Sequence, residues 1–371
     1  MSSKAIYAFS GDPITYGHID IIKRACHIFD KVIVAIGTNP EKKYTFSPIE
    51  RETLAKGALE SLPKVIVKSF SGLLVDFAYE QEVDVIVKGV RNPEDFRYEQ
   101  TLSHVGLSQN QGIETILLFA KPNLAHVSSS TVKALQKEHG ATQHYVPLGV
   151  KIALEKKLSE QIIIGITGEV ATGKSHLANQ LIEIGNTKKV EVHNIELDQL
   201  AHQIQDDLIE PIYVSLRKKI VEQFGKKILK KDGKINRKVL GEIVFKDLTQ
   251  LNILNNLMWK PVLVRLRKEL KNKKGLILIN SALLAEANLL SVCNNRVILA
   301  SVKPSQQKKY LENRKLSPQQ IERRLKSQLT NKEKEKIIKN KIAENNFGKL
   351  WLVDENTEIS SFAKKIFSAI L

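Results

Sequence analysis

Cysteine is nearly absent from this 371-residue sequence, which holds only Cys26 and Cys293. Two distant cysteines give neither a disulfide framework nor a zinc-binding cluster, and they read as free thiols in a reducing cytoplasm. Aromatic residues are scarce too, at 6%. They do not interleave with the basic residues, and no nucleic-acid-binding motif is present, so no nucleic acid partner is expected. No apolar run reaches the ~18 residues that span a bilayer, and the opening "MSSKAIYAFSG" passes into an apolar strand without a signal-peptide pattern. No membrane partner is expected. Internal repeats and low-complexity linkers are also missing. What is present is the composition of a globular chain, 42% hydrophobic and 26% charged, long enough for two or three domains.

The charge is unevenly placed. The net +17 hides a nearly neutral first part: residues 1–160 hold 19 of the 57 basic and 18 of the 40 acidic residues, so the remainder carries +16. Such a contrast suggests two units of different origin. A basic domain suits a polyanionic ligand, either nucleic acid or a phosphate-rich small molecule, although a solvated Lys-rich face has the same composition.

Along the first 160 residues, strand signals ("KAIYAF", "KVIVAIGT", "KVIVKSF", "VDVIVKG", "ETILLFA") alternate with helical ones. "SPIERETLAKGAL" offers Ser47 as N-cap and Pro48 at the first helical position. Apolar strands alternating with helices predict a parallel sheet covered on both faces. The polar "EKKLSEQ", 155–161, marks the boundary between a domain at 1–160 and a second at 161–371. The second opens with the strand "QIIIGIT" and the helix "KSHLANQLIEIG", with Gly185 expected just past its end. A long basic helical region follows at 200–272, then the strands "GLILINSALL", "NRVILAS" and "KLWLVDENTE".

Two constellations carry chemistry. In "SGDPITYGHIDII", Thr15-x-Gly17-His18 opens the first helix, where amides and dipole favour phosphate. By itself the same pattern suits a helix cap. Lys42 follows the second strand, Lys88 and Arg91 end the fourth, and "HVSSSTVK" supplies Ser128, Ser129 and Ser130. In an open α/β sheet such carboxyl-end loops converge on one crevice. With these motifs the segment closely resembles bacterial phosphopantetheine adenylyltransferase over residues 4–160. The resemblance implies a Rossmann-like nucleotidyltransferase sheet, ATP and 4′-phosphopantetheine as substrates, and dephospho-CoA and pyrophosphate as products. It implies that His18, Lys42 and Arg91 stabilise the transition state and that Ser10, Gly17, Leu74, Lys88, Gly89, Glu99 and the three serines bind nucleotide or substrate. The chain departs from the family in three places: Phe9-Ser10-Gly11-Asp12-Pro13 stands for G-T-F-D-P, Lys88 for Arg, and Gly106 for Asn.

The second constellation is "GITGEVATGKSH", in which Gly168, Gly173, Lys174 and Ser175 form a G-x-x-x-x-G-K-[ST] phosphate loop. Its amides cradle phosphates, Lys174 reaches the β- and γ-phosphates and Ser175 offers a hydroxyl to Mg²⁺, so Mg²⁺ is the expected cofactor. Asp198, one strand on, is placed to take a proton from the acceptor hydroxyl. Residues 161–358 are similar to dephospho-CoA kinase, a P-loop sheet with a helical substrate region and a lid. Asp198 matches the second Asp of its Asp-x-Asp and Glu196 replaces the first. Leu283, Leu284 and Glu286 keep its strand end, with Ala282 for Pro. The likeness implies that Arg314 closes over ATP phosphates, with Arg324 and Gln328 in the lid spacing, and that Asn356 meets the adenine. Lys260-Pro261 stands where the family has His-Pro.

The two resemblances together imply the last two steps of coenzyme A biosynthesis in one cytoplasmic, bifunctional transferase that self-associates through its first domain. Two other readings share these motifs. One is a nicotinamide mononucleotide adenylyltransferase fused to a riboside kinase. The other is an active adenylyltransferase with a degenerate kinase half serving as a regulatory or nucleic-acid-binding module.

Overall fold

The computed structural model describes residues 3–109, 112–313 and 317–370. They form two compact units, residues 1–158 and 159–371, each an α/β structure on its own five-stranded parallel sheet.

The first unit runs β1 (Lys4–Phe9), α1 (Tyr16–Ile28), β2 (Lys31–Gly37), α2 (Pro48–Leu59), β3 (Val65–Phe70) and α3 (Leu74–Glu80). It continues with β4 (Val85–Val90), α4 (Pro93–Leu107), β5 (Glu114–Phe119), α5 (Ser129–Lys137) and α6 (Leu148–Leu154). Strand order is β3-β2-β1-β4-β5. The chain therefore leaves β1 toward one side of the sheet and returns on its other side, which opens a crevice at the carboxyl ends of β1 and β4. The α2 start is built as its sequence predicts: Ser47 Oγ accepts from the Glu50 amide at 3.3 Å and the Glu50 carboxylate accepts from the Ser47 amide at 2.7 Å. Full cover on both faces holds for the centre only. β2 is buried almost throughout, whereas β3 and β5 hold only half-buried and exposed positions and α4 has no buried residue.

The second unit runs β6 (Gln161–Thr167), α7 (Lys174–Thr187), β7 (Val192–Glu196), α8 (Leu197–Asp206), α9 (Pro211–Phe224), α10 (Arg237–Val244) and α11 (Leu248–Leu270). There follow β8 (Gly275–Asn280), β9 (Arg296–Ala300), α12 (Pro304–Glu312), α13 (Pro318–Lys326), α14 (Asn331–Asn345), β10 (Lys349–Val353) and α15 (Ile359–Ile370). β6 lies centrally in the order β10-β9-β6-β8-β7. One face is covered by the helical region 197–270, the other by α7 and α15 through Leu177, Leu181, Phe362 and Ile366. Gly185 does not follow the helix; α7 continues to Thr187. A Cβ at 185 would sit 2.5 Å from Val192 Cγ2, so the glycine lets the last turn pass close against β7. Pro261 lies inside α11.

Candidate active sites

In the first unit His18 occupies the third position of α1, and its ring is fixed from two sides. Nδ1 accepts from the Thr15 amide at 3.1 Å, completing a capping box, and the Phe9 ring packs at 4.5 Å between centroids. Since Nδ1 is the acceptor, the neutral ring carries its proton on Nε2, which becomes a donor. Burial, then the neighbouring Arg91 charge, lowers the His18 pKa to about 4. The imidazole is thus neutral near pH 7.

Arg91 follows β4 and grips Asp95 through Nε at 2.7 Å and Nη2 at 3.0 Å, while Nη1 turns toward Val127 O at 3.4 Å. Three of its five donor hydrogens are engaged in this way, and the Nη1 edge faces the serine-bearing segment. The Asp95 hydrogen bonds raise its pKa further. Lys88 pairs with Glu99 at 2.9 Å, both largely buried. Ser128 caps α5 by accepting from Thr131 N at 3.1 Å, Ser129 Oγ donates to Pro13 O at 2.8 Å, and Ser130 is exposed. The serines therefore divide their work: one shapes the helix start, one ties it to the loop before His18, and one is open. Gly17 has only ordinary contacts at its Cβ position. A Cβ at Gly89 would meet Ile21 Cγ1 at 2.9 Å, so this glycine lets α1 pack on β4. Leu74 packs into the small core beneath α3. Lys42 lies exposed in the turn after β2 with no ion pair among the described residues; the structure does not bring it against His18.

Two supports escaped the sequence reading. Arg51 is 0% exposed and donates from Nη1 to Ser10 O at 2.5 Å and Gly37 O at 2.7 Å, and from Nη2 to Thr38 Oγ1 at 2.7 Å. It thereby fastens the ends of β1 and β2 together. Buried Asp12 accepts from Thr45 N and Phe46 N at 3.0 and 2.9 Å and pairs with Lys133 at 2.6 Å. It fixes where the Lys42 loop ends.

In the second unit the phosphate loop lies between β6 and α7. Gly173 takes φ +79 as the N-cap, and a Cβ on Gly168 would lie 2.3 Å from Ala300 O; both positions require glycine. Ser175 is exposed in the first turn of α7. Lys174 Nζ donates to Gly168 O at 3.1 Å and Glu169 O at 2.7 Å, folded over its own loop.

β7 ends at Glu196, held by Asn194 Nδ2 at 3.1 Å, and Asp198 lies in the first turn of α8. Asp198 is exposed as a residue. Partial loss of water raises its pKa, against the opposing pull of Lys174 and His202, and Ser281 Oγ lies 3.5 Å away. His202, one turn further along α8 and missed in the sequence, has its pKa lowered by burial and then by Arg237. Arg324 stands over the Phe245 ring at 5.7 Å, and Gln328 Oε1 accepts from the Val170 amide at 3.1 Å. Glu286 pairs with the fully buried Lys334, which also donates to Ala282 O at 2.7 Å. Asn356 is exposed in the turn after β10, its amide donating to Asp354 Oδ1 at 3.1 Å. Arg314 lies outside the described residues.

Both sites suit phosphate chemistry. The first presents donors and cations with no nucleophile, as direct transfer between phosphates needs. The second adds a carboxylate of raised pKa beside the phosphate loop, as proton removal from an acceptor hydroxyl needs.

Comparison with known proteins agrees with this chemistry. The dephospho-CoA kinase family model matches residues 162–349 and the cytidylyltransferase-like model residues 10–135. The phosphopantetheine adenylyltransferase of Nautilia profundicola is 46% identical over 147 residues, 40% of this chain and 96% of that protein. That of Clostridium tetani is 45% identical over 143 residues, 38% of this chain and 89% of that protein. Among solved structures, a dephospho-CoA kinase from Campylobacter jejuni aligns with 57% of this chain and 98% of its own at 23% identity, TM-score 0.33.

Proposed function

The chain belongs to the phosphopantetheine adenylyltransferase family in its N-terminal part and to the dephospho-CoA kinase family over residues 162–349, and we propose that the two sites above perform these activities in succession. It is a bifunctional transferase for the last two steps of coenzyme A biosynthesis. The catalytic domains we assign are residues 1–160 and 161–371.

In the first step a phosphate oxygen of 4′-phosphopantetheine attacks the α-phosphorus of ATP, and the bond to pyrophosphate breaks. His18 Nε2–H donates to the α-phosphate as charge develops, and the Nη1 edge of Arg91 faces the same charge. Ser130 and the α5 amides receive the outer phosphates with Lys88, and Lys42 reaches in from its exposed turn. Ser10, Gly17, Leu74, Gly89 and Glu99 frame the nucleotide and the pantetheine arm.

In the second step Asp198 takes the proton of the ribose 3′-hydroxyl of dephospho-CoA, whose oxygen attacks the γ-phosphorus of a second ATP and releases ADP. Lys174 leaves the Gly168 and Glu169 carbonyls for the β- and γ-phosphates, exchanging neutral acceptors for charged ones. Arg314 and Asn356 belong to this site by sequence. The oxygen donors here, the Ser175 hydroxyl and the Asp198 and Glu196 carboxyls, suit a hard cation shared with nucleotide phosphates. No cluster of three or more acidic, His or Cys ligands exists among the described residues, which fits Mg²⁺ arriving with ATP. Bound there, Mg²⁺ would neutralise phosphate charge. The setting we infer is cytoplasmic, with ATP, 4′-phosphopantetheine and dephospho-CoA as the partners and no nucleic acid. No helix among the described residues is long and apolar enough to cross a membrane.

The observation that carries the reading is that each unit gathers its own phosphate-handling set at the carboxyl edge of its own sheet, His18 with Arg91 in one and Lys174 with Asp198 in the other. A coupled assay with 4′-phosphopantetheine, ATP and Mg²⁺, followed by product mass, tests it. The intact chain yields coenzyme A, Lys174→Ala stops at dephospho-CoA, and His18→Ala lowers the first product by a hundredfold or more. An intact chain that stops at dephospho-CoA would refute the kinase assignment.

A further inference from the structure

The phosphate loop carries a carboxylate that phosphate binding does not call for. Glu169 follows Gly168 directly, and both its oxygens are engaged by later helices. Oε1 accepts from the Asn331 amide at 2.7 Å, the first residue of α14, and Oε2 accepts from Gln307 Nε2 of α12 at 3.0 Å. The first amides of a helix lack partners within it, and a carboxylate is favoured at that end. Glu169 therefore closes the α14 terminus from inside the phosphate loop. The loop backbone returns the contact: Glu169 N donates to Asn331 Oδ1 at 3.0 Å, Val170 N to Gln328 Oε1 at 3.1 Å, and Gln307 Nε2 also reaches Val170 O at 2.9 Å.

The loop tip is held by packing as well. Val170 and Ala171 join Leu311 of α12 and Ile321 of α13 in a small apolar cluster. Ala171 holds φ +61, a conformation that costs a residue with a Cβ and persists only where its surroundings impose it. The Glu169 carbonyl is also one of the two acceptors on which Lys174 rests.

We propose that Glu169 is a positioning residue for phosphoryl transfer, whose carboxylate ties the phosphate loop to α12 and α14 so that the loop's amides are already arranged when ATP arrives. The inference rests on the kinase reading of the second unit. ATP then binds without ordering the loop, and contacts to dephospho-CoA are untouched.

The test uses the full chain. Glu169→Ala raises KM for ATP in dephospho-CoA phosphorylation tenfold or more, leaves KM for dephospho-CoA within twofold, and leaves adenylyl transfer unchanged. Glu169→Gln keeps an acceptor for the Asn331 amide but sets an NH₂ group against Gln307, so its KM falls between the two. Gln307→Ala raises KM for ATP by less than Glu169→Ala, and the double variant falls short of the product of the single effects. KM for ATP unchanged or lowered in Glu169→Ala, or fully multiplicative effects, would overturn the proposal. If Glu169→Ala fails to fold, Glu169→Gln and Gln307→Ala decide. If the intact chain does not phosphorylate dephospho-CoA, the kinase reading fails on its own. The same variants then decide by calorimetric ATP affinity at the site that Lys174→Ala abolishes.

Discussion

Protonating His18 would place a hydrogen on Nδ1, where the Thr15 amide already points its own. The capping box and the cation are incompatible, and burial with the Arg91 charge opposes the cation further. Adenylyl transfer should therefore keep its rate from pH 7.5 down to pH 5.5 as far as His18 is concerned, and lose it only as pH falls toward about 4. A limb near the ordinary value of about 6.5 would refute the buried, neutral ring. The stability effect has the same direction. The folded pKa lies below the unfolded one, so the full contribution is present above about 6.5 and is lost as pH falls toward the folded value. The kinase site behaves differently: the Asp198 pKa is raised, and only the ionised carboxylate takes a proton. Its activity should fall at a pH above that of an ordinary carboxyl. A limb at or below the ordinary carboxyl value would contradict that environment.

At the scale of elements, the loops that carry the first site are held by residues far from them in sequence. Arg51 on α2 spends its donors on Ser10 O, Gly37 O and Thr38 Oγ1 and lies 4.1 Å from the Tyr44 ring centre. Arg51→Met preserves bulk but leaves two carbonyls without that donor, a loss of about 3 kcal/mol or more, read as a lower urea midpoint at unchanged m. Asp12→Asn removes the anion facing Lys133 and the two loop amides. Adenylyl transfer should drop about tenfold, with kinase activity unchanged. These links also explain what could be read in advance. Thr15-x-Gly17-His18 and the phosphate loop were legible because their geometry is made locally, by a capping box and by glycines at positions no other residue accepts. The parallel sheets were legible from apolar strands alternating with helices. The Asp12–Lys133, Arg51–Ser10 and Glu169–Asn331 pairs were not, since they join residues 121, 41 and 162 positions apart. No local pattern encodes such a meeting. Gly185 misled because a glycine required by close packing against Val192 resembles one that ends a helix.

At the scale of the molecule, the first unit leaves apolar surface uncovered. Helix α4 has no buried residue, yet Tyr98, Leu102 and Val105 fall one turn apart along it and are exposed, the spacing of a single face. In the same unit, edge strand β5 exposes Ile116 and ends at Phe119, 72% exposed. Exposed apolar side chains along one helix face mark an association site, and covering them gains about 25 cal/mol per Å². We therefore expect the intact chain to be a homo-oligomer assembled through its first unit. Light scattering at micromolar concentration should report a discrete multiple of the monomer mass. Leu102→Glu combined with Val105→Glu, which sets two charges on that face, should reduce it to the monomer while dephospho-CoA phosphorylation by the second unit continues at its original rate. A monomeric intact chain would refute the assembly. A double variant that keeps its mass would move the interface off α4. If both activities fell together with the mass, assembly would be a requirement of the second unit as well, which its own core, built from residues 163–367 alone, gives no reason to expect.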